Sequence, residues 1–330
     1  MNIGPVAVSG YAALAPMAGV TDAAFRTTAR AHGAAYTVTE MASARALVYQ
    51  PNRTSELLLP GPGEGPFAVQ IFGCEPEIMA EGARLALAMS KAQVVDINMG
   101  CPTPKIVANG DGSALMRDPD KAKKVIEAVC KAVSVPVTVK FRLGWDDEHK
   151  NAVSFARMAQ DAGAQAVCVH GRTRAQMYAG RADWEMLARV REAVTIPFVA
   201  NGDVCSFADA KALYDKTGCD LVMVGRASLG NPWIFSSIEA GMRGMEPPPA
   251  PTVEERFRTA REQIALACTR KGEHIAVLEA RKHLAWYLKG VRGSAPYRAR
   301  FAEVKTLEEM DALIAEFMER RPDLDNGIQS

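Results

Sequence analysis

Eight short apolar runs rich in β-forming residues are separated by helical patterns along the first 230 or so residues, and this alternation leaves few folds open. The runs are Ala12 to Pro16, Ala35 to Thr39, Phe67 to Ile71, Val94 to Asn98, Val137 to Lys140, Ala166 to His170, Pro197 to Ala200 and Leu221 to Val224. Strands that alternate with helices pair in parallel, because each crossover helix carries the chain back to the same end of the sheet. Eight such units predict an α/β fold, a closed (β/α)8 TIM barrel with its functional groups at the C-terminal strand ends. The intervening segments carry helix signals. Asp118 can cap and Pro119 open a helix with the stripe Ala122, Val125, Ile126, Val129 and Val133. Ser206 with Asp209 opens another, carrying Phe207, Ala210, Leu213 and Tyr214.

The pattern changes near residue 246. Glu246-Pro247-Pro248-Pro249-Ala250-Pro251 should be extended and a natural boundary, and beyond it the periodicity is helical only. Val253, Phe257, Ala260, Ile264 and Ala267 share one helix face; Leu284, Tyr287, Leu288 and Val291 share a second; Leu307, Met310, Ile314 and Phe317 share a third. The expected division is a barrel over residues 1–245 and a small all-helical unit over 246–330.

Composition is that of an ordinary globular chain, 330 residues with 48% hydrophobic and 23% charged. A formal net charge of +1 excludes a strong global field, so nucleic-acid affinity has to come from a local patch. Such a patch exists: the segment from Arg256 to Arg300 holds eleven Lys or Arg against Glu262, Glu273 and Glu279, with His283, Trp286 and Tyr287 interleaved. A charge run of this kind is usually a solvated helix face. Seven scattered cysteines, without a CxxC pair or zinc-like His spacing, argue for a reducing cytoplasm and no structural metal. No run approaches 18 apolar residues, so no membrane span is expected, and a monomer is the default.

The strand ends converge on one face if the barrel closes, and they are specific in character. They read Pro16-Met17-Ala18, Gln70, Asn98 to Cys101, Lys140 with Arg142, His170 with Arg172, Asn201-Gly202-Asp203, and Gly225-Arg226. A lone cysteine is ordinarily a small core hydrophobe. Cys101 differs in position: Gly100 turns the backbone and Pro102 fixes it, aiming the thiol out of the fold beside the amide of Asn98. Barrels frequently bind phosphate with the loops after strands seven and eight, where Gly202 and Gly225 allow close backbone approach and Arg226 adds charge. With Lys140, Gln70 and His170 these groups suit flavin mononucleotide, its phosphate between the last two loops and its ring over the barrel mouth.

Across Ala15 to Phe235 the motifs APMAGVTD (15–22), VQIFG (69–73), NMGCP (98–102), KFRLGW (140–145), HGRTR (170–174), NGD (201–203) and GRASLGNPWIF (225–235) follow one another in an order and spacing that resembles the tRNA-dihydrouridine synthases. The resemblance implies an FMN enzyme that reduces the C5=C6 bond of specific uridines in tRNA with electrons from NADPH or NADH. Cys101 would then be the proton donor to C5. Pro16, Met17, Ala18, Gln70, Lys140, His170, Asn201, Gly202, Asp203, Gly225 and Arg226 would hold the cofactor. Asn98 would orient the base, Arg142 or Arg172 would neutralise ligand charge, and Lys282 and Lys289 would grip the tRNA backbone. Two other readings stay open from the residues alone. One is a flavin barrel acting on a free pyrimidine, similar to the dihydroorotate dehydrogenases; the other is an RNA-binding protein that kept the barrel without activity.

Overall fold

The computed structural model describes residues 1–50 and 55–320. Eight parallel strands follow the expected order: β1 (Ala12–Leu14), β2 (Thr37–Val38), β3 (Phe67–Phe72), β4 (Val94–Met99), β5 (Val137–Arg142), β6 (Ala166–His170), β7 (Phe198–Asn201) and β8 (Leu221–Val224). Each pairs with its sequence neighbour except β1 and β2, while β8 pairs with β1. Closure between β1 and β2 rests on a bridge from Ala13 to Tyr36, with Leu14 N–H donating to Tyr36 O at 2.9 Å and Ala35 N–H to Ala12 O at 2.8 Å. The result is a nearly closed barrel of the predicted class. β1 and β2 are shorter than their apolar runs, β1 ending at Leu14 and β2 keeping only Thr37 and Val38.

The helices after the strands are α1 (Ala23–Ala31), α2 (Ala44–Tyr49), α3 (Pro76–Ser90), α4 (Pro119–Ala132), α5 (Ala152–Asp161), α6 (Trp184–Ala193), α7 (Phe207–Thr217) and α8 (Trp233–Met242). Their starts follow local chemistry. Asp118 accepts from Lys121 N–H at 3.0 Å with Pro119 in the first turn, and Ser206 accepts from Asp209 N–H at 3.1 Å. Ala122, Val125, Ile126 and Val129 are buried as their spacing requires, whereas Val133 lies just past the end of α4 in extended backbone.

Strand alternation divides the core into two shells. Side chains such as Val69, Ile97, Val139, Val167 and Ala200 pack outward against the helices. Ala13, Ala68, Val94, Ala166, Cys168, Val199, Leu221 and Met223 fill the interior, with Ile3 and Val8 from an N-terminal hairpin (Asn2–Ile3 with Val6–Ala7) in the same cluster. The same period-2 rule turns Gln70, Asp96, Asn98, Thr138, Lys140, Arg142, His170 and Asn201 inward toward the C-terminal ends. This alternation positions the site.

Residues 246 to 252 carry no regular structure. Beyond them lie α9 (Val253–Lys271), α10 (Glu273–Tyr287), α11 (Ala295–Phe301) and α12 (Leu307–Glu319), which share an apolar cluster built on Phe257, Ile264, Leu284, Tyr287, Phe301, Met310 and Phe317. Leu288 and Val291 join it from beyond the end of α10, and α11, which the periodicity did not announce, contributes Tyr297 and Phe301 one turn apart. Residues 321–330 of the expected helical unit lie outside the described residues.

Candidate active site

A cavity of about 870 Å³ opens at the C-terminal ends of the strands. Pro16, Met17, Ala18, Gln70, Asn98, Cys101, Lys140, Arg142, His170, Asn201, Gly202, Asp203, Gly225, Arg226 and Lys289 all line it. Of the residues singled out from sequence, only Arg172 and Lys282 lie outside this lining.

The Cys101 turn is held from several sides. Asn98 Oδ1 accepts from Gly100 N–H at 3.1 Å and from Cys101 N–H at 2.9 Å. Arg142 Nε donates to Gly100 O at 2.8 Å, and Ser113 donates to Cys101 O from both its N–H (3.1 Å) and its Oγ (2.9 Å). Gly112, at φ +59°, lets the chain pass so close that a Cβ would lie 2.9 Å from Cys101 O. The thiol, half-buried, is left facing the cavity with Thr103 Oγ1 3.2 Å away. A fixed backbone with a side chain at the cavity wall is the arrangement a proton donor needs.

The two last loops form an anion cradle. Among the described residues, the backbone N–H groups of Gly202, Asp203, Gly225 and Arg226 find no acceptor. Gly202 has φ +141° and sits where a Cβ would be 2.7 Å from that of Ala182, so the turn requires glycine. Several unpaired donors converging on one cavity are suited to phosphate. Asp203, at φ +58°, is turned to a different task. Arg172 Nη2 donates to its Oδ2 at 2.8 Å, Arg172 Nη1 lies 2.8 Å from Oδ1, and Ala182 N–H donates to Oδ2 at 2.7 Å. Burial pushes the Asp203 carboxyl upward, but these hydrogen bonds and the Arg172 and Arg226 charges outweigh it and hold the pKa below the usual range.

Two arginines expected to meet ligand charge are engaged in the loops. Buried Arg172 also donates to Ala179 O and Gly180 O, so it knits the loop after β6 to that after β7. Arg142 donates to Thr173 O and Met177 O in addition to Gly100 O, bracing the loop after β6 against the Cys101 turn. Burial draws its pKa down to about 10. Lys140 Nζ is 3.3 Å from Asn201 Oδ1, while Asn201 Nδ2 donates to Met223 O at 2.8 Å and so fixes the amide that holds the lysine. Burial first, and then Lys140, Arg142, Arg172 and Arg226, draw His170 down to about 2 and keep it neutral.

Lys282 is also occupied: its ammonium donates to Gly19 O, in the loop that carries Pro16, Met17 and Ala18. Nearby, Lys271 Nζ donates to Asp22 Oδ2 at 2.6 Å, so α9 and α10 are tied to the β1 loop. Lys289 remains exposed at the cavity rim. Sequence reading passed over Asp96, Thr138, Ser113, Met177 and Tyr178. The last two are exposed and line the cavity, with Arg226 stacked 4.8 Å over the Tyr178 ring. A tyrosine in a loop has no periodicity to mark it; the only available signal was its nearness to HGRTR.

An eight-stranded βα barrel whose C-terminal face carries an anion cradle, buried cations and a braced thiol has the layout of a barrel enzyme. The dihydrouridine synthase family model matches residues 13–321, and the chain belongs to that family. It is 40% identical to tRNA-dihydrouridine synthase B of Pseudomonas aeruginosa over 329 residues, covering 99% of this chain and 98% of that one. The enzyme of the same name from Pseudomonas putida is 40% identical over 326 residues, 98% and 96% of the two chains. In fold alone, histamine dehydrogenase from Rhizobium sp. 4-9 is similar, with a TM-score of 0.55 at 13% identity over 81% of this chain and 50% of that one. Among the described residues no helix is long and apolar enough to cross a membrane, and no cluster of metal-ligating side chains occurs.

Proposed function

We propose that this enzyme reduces the C5=C6 bond of uridines in tRNA, using FMN as its flavin and NADPH or NADH as electron donor. The observation that carries the reading is the Cys101 turn, held by Asn98, Arg142 and Ser113 beside an anion cradle in one cavity. The cradle fits the cofactor: free N–H groups of Gly202, Asp203, Gly225 and Arg226 with the Arg226 guanidinium suit its phosphate. Lys140 and His170 would take the ring, with Gln70, Pro16, Met17 and Ala18 as the adjoining wall. Bound FMN supplies hydride for C6 of the uracil.

The chain's own residues complete the reduction. As negative charge develops at C5, the Cys101 S–H bond breaks, a C5–H bond forms, and the S–H electron pair stays on sulfur. Lys140 offers a fixed positive charge to the electron-rich ring system, and neutral His170 adds hydrogen bonding without contributing a further charge. Arg142 and Arg172 act through the loops they brace. A uridine must leave its stack to reach this cavity, which requires a hold on the RNA backbone. Lys289 at the rim, with Arg258, Arg292 and Arg298, exposed and without an ion-pair partner among the described residues, supplies that hold.

Incubating purified protein with dihydrouridine-free tRNA and NADPH, then quantifying nucleosides by mass spectrometry, tests the reading. Dihydrouridine in the tRNA supports it. Turnover of free uracil or dihydroorotate with tRNA inert would replace it with a small-molecule reductase.

A further inference from the structure

Below the cavity, inside the barrel, a hydrogen-bonded chain runs from β5 through β4 and β3 and back to the Cys101 turn. Thr138 Oγ1 donates to Asp96 Oδ1 at 2.5 Å. Gln70 Nε2 donates to Asp96 Oδ2 at 2.6 Å, and Asn98 Nδ2 donates to Gln70 Oε1 at 2.9 Å. The chain ends where Asn98 Oδ1 accepts from Gly100 and Cys101 N–H. Gln70, Asp96, Asn98 and Thr138 are all buried, Gln70 completely.

Two amides in series can point either way, and an isolated pair would have no reason to prefer one. Here both ends are set by chemistry. The Cys101 end consists of backbone N–H groups, which only donate. The Asp96 end, when ionised, only accepts. An acceptor at one end and donors at the other admit a single direction for both amides, and that is the direction present.

We propose that Asp96 is a positioning residue for the proton donor: its carboxylate sets the polarity of the Gln70 and Asn98 amides and thereby holds the Cys101 turn from a layer below the cavity. This deepens the assignment of Cys101 as proton donor and rests on it. The carboxylate is in a demanding environment, facing Lys140 on β5, Cys168 on β6 and Tyr36 before β2, with Thr138 and Gln70 as its hydrogen-bond donors. Burial pushes its pKa up to about 6, against the pull of those hydrogen bonds and of Lys140. Protonated Asp96 gains a donor toward Gln70, so the Asp96 end no longer reinforces the direction that the Cys101 N–H groups set. In Asp96→Asn the neutral amide can donate to Gln70 Oε1, turning both amides and setting Asn98 Nδ2 against two N–H donors.

The test uses the flavin-loaded enzyme. In Asp96→Asn, hydrogen exchange at Gly100 and Cys101 should rise by about tenfold or more while exchange in the neighbouring strands is unchanged, and dihydrouridine formation should slow by about tenfold or more with flavin retained. A general structural defect would instead raise exchange across the barrel and release flavin. Protection and rate both within about twofold of wild type would overturn the proposal. If the variant does not fold, the wild-type pH profile decides: turnover should fall below about pH 6, with its midpoint displaced upward in Thr138→Val, which removes a hydrogen bond that favours the carboxylate. A rate flat from about pH 5 to 8 overturns it. Undiminished dihydrouridine formation by Cys101→Ala would instead sink the proton-donor assignment, and the exchange result would still decide whether Asp96 holds the turn.

Discussion

His170 shows how the site converts crowding into a defined protonation state. Burial, and then four neighbouring cations, leave it neutral down to about pH 2, whereas in the unfolded chain it takes a proton near pH 6.5. Between those values the unfolded state binds the extra proton, so stability is present above pH 6.5 and is lost as pH falls, by about 1.4 kcal/mol per unit. Asp96 has the opposite sign, because its raised pKa lets the folded state hold a proton between its unfolded value and about 6. Comparing wild type with His170→Gln by urea unfolding at pH 7 and pH 5 isolates the histidine: the variant should lose less stability on acidification. Equal losses would mean that His170 is more open than its surroundings imply. At this scale the sequence was legible where a residue stood at a strand end, as with Cys101, Lys140 and His170. Asp96 and Thr138 were not legible as functional. They sit within strands, where only the closed barrel shows that they point inward and toward each other.

At the scale of elements, the strand order and the barrel followed directly from the apolar runs, because eight βα units have few ways to pack. What the runs could not convey was how loops and helices share their side chains. Lys282 stands in a basic stretch that reads as an RNA-facing surface, yet its ammonium meets Gly19 O, and only the approach of α10 to the β1 loop makes that contact. Lys282→Met is therefore expected to weaken flavin binding several-fold, measured by fluorescence titration, whereas Lys289→Glu should leave it unchanged and weaken tRNA binding. The opposite pattern would return Lys282 to the RNA surface. A second contact of the same kind lies after β8. Gly230, at φ +64°, has the backbone of Trp286 where a Cβ would be only 2.3 Å from its carbonyl carbon. Gly230→Ala should cost about 2 to 4 kcal/mol through strain and steric overlap, read as a lowered melting temperature. An unchanged melting temperature would show that α10 can move aside.

For the molecule as a whole, a net charge of +1 conceals a division of labour among its cations. Within the basic stretch, Arg261 pairs with Asp311, Arg270 with Glu56, Lys271 with Asp22 and Glu279, and Arg300 with Glu316, while Arg256, Arg281 and Lys282 donate to backbone carbonyls, leaving Arg258, Lys289, Arg292 and Arg298 exposed. tRNA affinity should accordingly be modest and salt-dependent, and Arg292→Glu should lower the slope of log affinity against log salt by about 1. The step proposed for Cys101 is transfer of its proton to C5. It is tested most directly by quantifying dihydrouridine in initially unmodified tRNA under single-turnover conditions, with flavin-loaded wild type and Cys101→Ala compared side by side. Product should form with the wild type and fall by about 100-fold or more in the variant, with flavin reduction by NADPH unchanged. Product formed at the wild-type rate by Cys101→Ala would contradict it.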